Sequence, residues 1–279
     1  VADAVINHMS ASGPGEGWAG SSYDKYDYPG LYTPDDFHYC GGAPDLSITN
    51  YNDAFQVQNC ELLGLSDLAT DQSSVQAKIV AYIEDLISLG VKGIRIDAAK
   101  HIAAADLVAI TSQLPDDFWV IQEVIRGAGE PIQPEDYLES GDVWEFAFSV
   151  DLDNAVSYGE TDYLIDSERL AEYAPSESAL SFVTNHDTER NGKALSYLKD
   201  PLHFAFGTAL MLAHSYGTPM LYSGFAYGYY DAPPLLTDDG SVQAAECVAN
   251  PSEKLTWSDY SDGDWICQHR WNSTLGMIG

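Results

Sequence analysis

The chain has 279 residues, with 12 Lys and Arg against 43 Asp and Glu, for a formal net charge of −31. So acidic a surface excludes a protein that grips nucleic acid through its phosphates and disfavours docking on anionic membranes, so the expected partner is neutral or cationic. With 45% hydrophobic and 12% aromatic residues the chain can bury a large core, so its acidity belongs to a solvated surface, suited to a secreted protein or a salty medium, and not to a disordered tail.

In chain order, the first element is a strand over Ala2–Ile6, closed by Asn7 and His8. Roughly sixty residues rich in Gly, Tyr, Asp and Pro follow, up to about Asp67, including Gly13-Pro14-Gly15 and Tyr26-Asp27-Tyr28-Pro29-Gly30. A structureless connection of that length does not suit a compact domain, so residues 9–67 are expected to form a small subdomain inserted after this strand. A helix is expected from Val75 to Leu89, where Val75, Ile79, Ile83, Leu86 and Ile87 make one apolar stripe and Gly90 can take the left-handed position past its end. Then come a strand at Gly93–Ile96, a helix at Ala103–Gln113, strands at Trp119–Glu123, Val143–Phe148 and Leu180–Thr184, a helix around His203–His214, and a strand at Pro219–Tyr222. Strands alternating with helices indicate a parallel-sheet α/β architecture. No run of about 18 apolar residues occurs, so no membrane span is expected. Strand-like runs lie close to both Val1 and Gly279, as in a chain cut from a longer one.

Cys40 and Cys60, and Cys247 and Cys267, form two pairs, each 20 residues apart, without a CxxC or the His spacing of a zinc site. Two local disulfides are the economical reading and four buried thiols the alternative; disulfides would place the protein in an oxidising compartment, outside the cell.

Ionisable residues gather at the C-terminal ends of the strands, where parallel α/β sheets build active sites: His8 after the first, Arg95 and Asp97 at the second, Glu123 at the third, and His186 and Asp187 after the fifth. Each alone reads as an ordinary cap or turn residue. Together, two histidines, three carboxylates and a basic residue make up the composition of a paired-carboxylate glycosidase site.

Four strings then resemble the signature regions of the α-amylase family, glycoside hydrolase family 13, in order and in spacing. They are Asp3-Ala4-Val5-Ile6-Asn7-His8, Gly93 to His101 (GIRIDAAKH), Glu123-Val124-Ile125, and Phe182-Val183-Thr184-Asn185-His186-Asp187. The likeness runs through nearly the whole chain and is similar in texture to animal-type α-amylases and their bacterial relatives, as at Val57-Gln58-Asn59-Cys60-Glu61-Leu62. It implies a (β/α)8 TIM barrel, incomplete here and covering about strands 3 to 8, with residues 1–8 and 68–279 in the catalytic barrel portion and 9–67 as the inserted domain B.

The resemblance also implies roles. Asp97 would be the nucleophile of a retaining double displacement, Glu123 the general acid and base, and Asp187 a third carboxylate on the sugar hydroxyls. His8, His186, Lys100 and His101 would bind substrate, and Arg95 would keep Asp97 ionised by its charge. One structural Ca²⁺ would be held by the Asn7 side chain, the Asp67 carboxylate and the backbone carbonyls of Gln58 and His101, oxygen donors suited to a hard cation. Animal-type relatives also bind an activating chloride, for which Arg95 and Asn185 match. The third, basic residue is missing, Met220 standing nearest its place, so activity is expected to be independent of chloride. The implied activity is endo-hydrolysis of α-1,4-glucosidic bonds in starch, glycogen and related glucans by a secreted monomer. A transglycosylase or α-glucosidase of the same family, or a non-catalytic carbohydrate-binding relative, is the alternative.

Overall fold

The structure, a computed structural model, describes residues 1–247 and 260–278. The chain divides into two compact units, Val1–Trp144 and Glu145–Gly279.

In the first unit, strand β1 (Ala2–Ala4) is followed by a small hairpin of β2 (Gly15–Glu16) and β3 (Ser22–Tyr23) and the short helix α1 (Ala54–Asn59). Asp53 starts α1 because its carboxylate accepts the otherwise unpaired N–H groups of Phe55 and Gln56. Helix α2 (Ser73–Ser88) follows, then β4 (Gly93–Ile96), α3 (Ala104–Thr111), β5 (Trp119–Gln122) and β6 (Asp142–Trp144). Strands β1, β4, β5 and β6 pair in that order, all parallel, with Ala2 opposite Ile94, Ile94 opposite Val120 and Ile121 opposite Asp142. The expected stripe of α2 is the face that packs, with Val75, Ile79 and Ile83 buried beside Val80. Full burial of each such side chain contributes about 1.5–3 kcal/mol. Gly93 is required where β4 begins, since a Cβ there would stand 2.6 Å from the Trp119 carbonyl oxygen.

The segment 9–67 leaves and rejoins the sheet side by side. Met9 N–H donates to Ser66 O at 2.9 Å, Leu68 N–H donates to Asn7 O at 2.9 Å, and His8 bridges Asp67. Its interior is aromatic: Tyr23 stacks on Tyr28 at 5.5 Å, and Phe37 meets the edges of Tyr26 and Tyr32. The Cys40–Cys60 disulfide closes it.

The second unit contains α4 (Phe146–Tyr158), α5 (Ser167–Leu170), β7 (Ala179–Phe182), α6 (Thr188–Asn191), α7 (Pro201–Ala213), β8 (Thr218–Met220) and α8 (Asn272–Ile278). Strands β7 and β8 pair in parallel, Leu180 opposite Thr218. Phe148 stacks on Tyr216 at 5.5 Å, and Tyr197 packs on Trp271 at 4.9 Å. The second disulfide, Cys247–Cys267, is also formed.

Each expected strand occurs, with one correction of type. Phe146–Phe148, read as the end of a strand, begins α4. A short apolar run fits either state, and here Glu145 decides it. Its fully buried carboxylate accepts from the N–H groups of Ala147 at 3.0 Å and Ala174 at 2.9 Å, which caps the helix start. Among the described residues no helix is long and apolar enough to cross a membrane.

Candidate active site

In the first unit the carboxylates converge on one guanidinium. Arg95, 5% exposed, lies on β4 two residues before Asp97, so period-2 alternation sends both side chains to the same face of the sheet. Its Nη1 donates to Asp97 Oδ1 at 2.6 Å and to Asp3 Oδ1 at 2.8 Å. Its Nη2 stands 2.8 Å from Glu123 Oε1, as an ion pair and not an aligned hydrogen bond. The other face of the guanidinium lies over the Trp144 ring, 4.9 Å from its centroid.

The backbone continues the sheet past its ends to fix the two acids. Asp97 N–H donates to Ala4 O at 3.1 Å and Glu123 N–H to Ile96 O at 3.0 Å, so each acid sits one residue beyond its strand. Ala98 adopts a left-handed backbone, φ 49°, uncommon for a residue with a side chain. That turn aims its N–H at Glu123 Oε2, 2.9 Å away, so the strained residue anchors the carboxylate. His8 Nε2 lies 4.0 Å from Asp97 Oδ2. Burial holds the His8 imidazole below its ordinary pKa, against the opposing pull of the Asp97 charge.

Lys100 and His101 are buried and do not form a solvated turn. Lys100 donates to Ile125 O at 2.7 Å and pairs with Glu130, and His101 Nδ1 bonds Val57 O at 3.0 Å.

The calcium candidates lie in the same unit. Asp67 is 1% exposed; its Oδ2 meets His38 Nδ1 at 2.8 Å, while its Oδ1 has no hydrogen-bond partner. Burial pushes this carboxyl up to about 6, with His38 opposing. The buried Asn7 turns its amide nitrogen to His8 Nδ1 at 3.3 Å, which leaves its oxygen for another group. Gln58 uses its side-chain nitrogen on the Tyr137 hydroxyl, 3.2 Å, which leaves its backbone role unaffected. Among the described residues no three His, Cys, Asp or Glu side chains cluster as a metal site. The expected set would not register as such a cluster, because it consists of one carboxylate, one amide oxygen and two backbone carbonyls. An orphaned buried carboxylate oxygen and an amide oxygen left without a donor suit a hard cation.

In the second unit, Asn185, His186 and Asp187 follow β7. Asn185 Oδ1 accepts from Asp187 N–H at 3.1 Å and Thr188 N–H at 2.8 Å, which starts α6 and fixes the turn that carries Asp187. The Asn185 Nδ2 is buried without a partner. His186 Nε2 lies 3.5 Å from Asp187 Oδ2, both side chains half exposed.

Sequence reasoning gave no role to Asp3, Trp144 or Glu130. Asp3 lies on β1, which pairs with the strand of Arg95, and Trp144 on β6, one strand beyond β5 on the other side; the alternation of Asp3, Val5 and Asn7 was a usable signal for the first. Nothing local to Glu130 marks it as the partner of Lys100.

No family model matches the chain. An α-amylase of Streptomyces violaceus is 44% identical over 280 residues, which span 100% of this chain and 45% of that protein. An α-amylase-related protein of Drosophila simulans is 36% identical over 99% of this chain and 57% of its own length. The chain thus spans about half the length of the curated relatives it matches. The crystal structure of α-amylase I from Eisenia fetida superposes with a TM-score of 0.84 at 29% identity, over 99% of this chain and 60% of that one. A glutamate-to-glutamine variant of that enzyme has been solved with maltohexaose.

Proposed function

The chain belongs to the α-amylase family, as part of a (β/α)8 barrel, and from that membership we propose that the protein containing it is an amylase-type glycoside hydrolase that cleaves internal α-1,4-glucosidic bonds of starch, glycogen and related glucans with retention of configuration. The observation that carries this reading is the sharing of one buried guanidinium, Arg95, by Asp97 and Glu123. It holds two carboxylates of different environment at neighbouring strand ends, the arrangement a retaining glycosidase needs.

Asp97 Oδ1 is held by Arg95, so Oδ2, on the His8 side, is the oxygen left to attack the anomeric carbon. As that C–O bond forms, the glycosidic C–O bond breaks, and Glu123 gives its proton to the leaving oxygen. Esterification removes the negative charge of Asp97, so Arg95 then faces Glu123 with one carboxylate fewer. This favours the ionised Glu123 that must take a proton from water in the second step, when water oxygen displaces Asp97 from the sugar. Asp187 accepts hydrogen bonds from hydroxyls of the distorted ring, and His8 and His186 donate to the same sugar. Lys100 and His101 would face the leaving-group side as in the family they resemble, their side chains held by Ile125, Glu130 and Val57. An anion at Arg95 and Asn185 has no part in this reading.

Residues 9–67 act as an inserted subdomain on the barrel portion formed by residues 1–8 and 68–279. Asn7, Asp67 and the carbonyls of Gln58 and His101 would hold one Ca²⁺, which supplies a fixed charge tying that subdomain to the strand ends. The two disulfides suit secretion, and we take the protein to act extracellularly as a monomer.

The test is reducing-sugar release from soluble starch by the full-length protein and by its Glu123→Gln variant, with product anomers followed by proton NMR. Release by the parent only, with the α-anomer formed first, is the expected outcome. Equal release by both proteins, or the β-anomer first, would refute the mechanism.

A further inference from the structure

The turn that carries Asp187 is tied down by a carboxylic acid with an unusual setting. Glu189, on α6, is 1% exposed and its Oε1 has no hydrogen-bond partner. The Tyr222 hydroxyl end of the ring lies beside its carboxyl group. A Cβ placed on Gly224 would stand 2.8 Å from both Glu189 Oε2 and the Tyr222 hydroxyl, so the segment after β8 lies directly against the acid and glycine is what lets it approach. The Tyr227 hydroxyl donates to the Glu189 carbonyl at 3.1 Å.

The next residue extends the same join. The Arg190 guanidinium lies 4.4 Å from the Tyr227 ring centroid and 5.1 Å from that of Phe225, and it donates to the carbonyls of Tyr230 and Ala232. The segment is anchored in turn: Gly224 N–H donates to Gln268 Oε1 at 3.0 Å and Ala226 N–H to Asp264 O at 2.9 Å. On the other side, Arg190 N–H and Asn191 N–H both donate to the Asp187 carbonyl, at 3.0 and 2.9 Å. Glu189 thus lies in the one-turn helix that Asp187 begins.

A bland reading is that Glu189 merely fills space. Burying a carboxyl without satisfying both oxygens costs free energy that an apolar side chain would avoid. Glu145 shows the ordinary solution, both of its oxygens accepting backbone N–H groups. We propose that Glu189 is a positioning residue for Asp187: buried beside Tyr222 against Gly224, with its carbonyl held by Tyr227, it fixes the turn through which Asp187 presents its carboxylate to the sugar. The role of Asp187 rests on the α-glucan reading above; the tether itself does not.

Two readouts separate the two. In the full-length protein, Glu189→Leu is expected to lower kcat on soluble starch about tenfold or more with KM within about twofold, because the misplacement is felt in the distorted ring and not in chain binding. Glu189→Gln keeps a polar group of the same shape beside Tyr222 and restores most of the lost kcat; Tyr222→Phe falls between and serves if the leucine variant fails to fold. Hydrogen exchange, followed by mass spectrometry, speeds up over residues 187–191 in the leucine variant and returns to the parent rate in the glutamine variant. Unchanged exchange there, parental kcat in Glu189→Leu, or a Glu189→Gln variant as impaired as Glu189→Leu would overturn the proposal. A parent protein that releases no sugar from starch would sink the α-glucan reading, while the exchange experiment would still decide the tether.

Discussion

Arg95 lies over Trp144, its guanidinium carbon 4.9 Å from the ring centroid, while its two terminal nitrogens reach the carboxylates of Asp3, Asp97 and Glu123. Only a planar, forked cation can do both, since a lysine ammonium is a single point of charge on a flexible stem. Arg95→Lys is therefore expected to fold but to lose about a hundredfold in kcat/KM on starch, because Asp97 and Glu123 are no longer held by one rigid group. Arg95→Ala leaves three carboxylates facing one another and is expected to lose about 3 kcal/mol of stability, read by urea unfolding. A lysine variant with parental kcat/KM would show that the fork is not needed.

The orphaned Oδ1 of Asp67 leads to a second prediction. If that oxygen and the Asn7 amide oxygen hold Ca²⁺, then adding calcium to chelator-treated protein raises Tm in proportion to the logarithm of its concentration, since a ligand that binds only the folded state stabilises by mass action. Asp67→Ala removes the only charged donor and is expected to abolish the shift, and magnesium at equal concentration to reproduce little of it, since it accepts irregular oxygen cages poorly. A Tm that ignores chelator and calcium alike would argue against the site. Differential scanning calorimetry of the two proteins measures it.

What was legible in the sequence was governed by local periodicity. The middles of the strands are apolar runs, and the chemistry sits one or two residues past them, so Asp97 and Glu123 could be placed before their partners were known. The apolar stripe of α2 was likewise sufficient to locate that helix. The run from Val143 to Phe148 misled because apolar periodicity cannot tell a buried strand from the start of a buried helix. The deciding group, Glu145, caps the helix through Ala147 but is held in place by Ala174, 29 residues away in sequence. Long-range pairs such as Lys100 with Glu130, or Glu189 with Tyr222, were illegible for the same reason: each residue alone is an ordinary charged or aromatic side chain, and only the fold brings it to its partner.

Activity is expected to be independent of chloride. Both terminal nitrogens of Arg95 already face carboxylates, and Met220 brings no charge where animal-type relatives carry a basic residue. The buried Asn185 Nδ2 has no partner, but one neutral donor does not offset the cost of taking an anion out of water. Dialysed enzyme assayed in sodium chloride and in sodium acetate at equal ionic strength should give the same rate. A severalfold activation specific to chloride would mean that Arg95 is released from its carboxylates to hold the ion.

The last prediction concerns pH and the sign of its effect. Burial, opposed by the Tyr222 hydroxyl and the Arg190 charge, raises Glu189 from its ordinary 4.5 to about 7. Between those values the folded protein keeps the proton and the unfolded chain has released it, so the folded state binds more protons and stability falls as pH rises through this window. Below about pH 4 both states hold the proton and above about pH 8 neither does, so the penalty is fully developed at pH 8 and amounts to something on the order of 3 kcal/mol. Glutamine does not titrate. The unfolding free energy of Glu189→Gln minus that of the parent is therefore expected to grow from pH 5 to pH 8, every other titrating group cancelling in the difference. Urea unfolding of both proteins at the two pH values measures it, and a difference that stays constant, or shrinks toward pH 8, would show that the Glu189 carboxyl is ionised in the folded protein throughout.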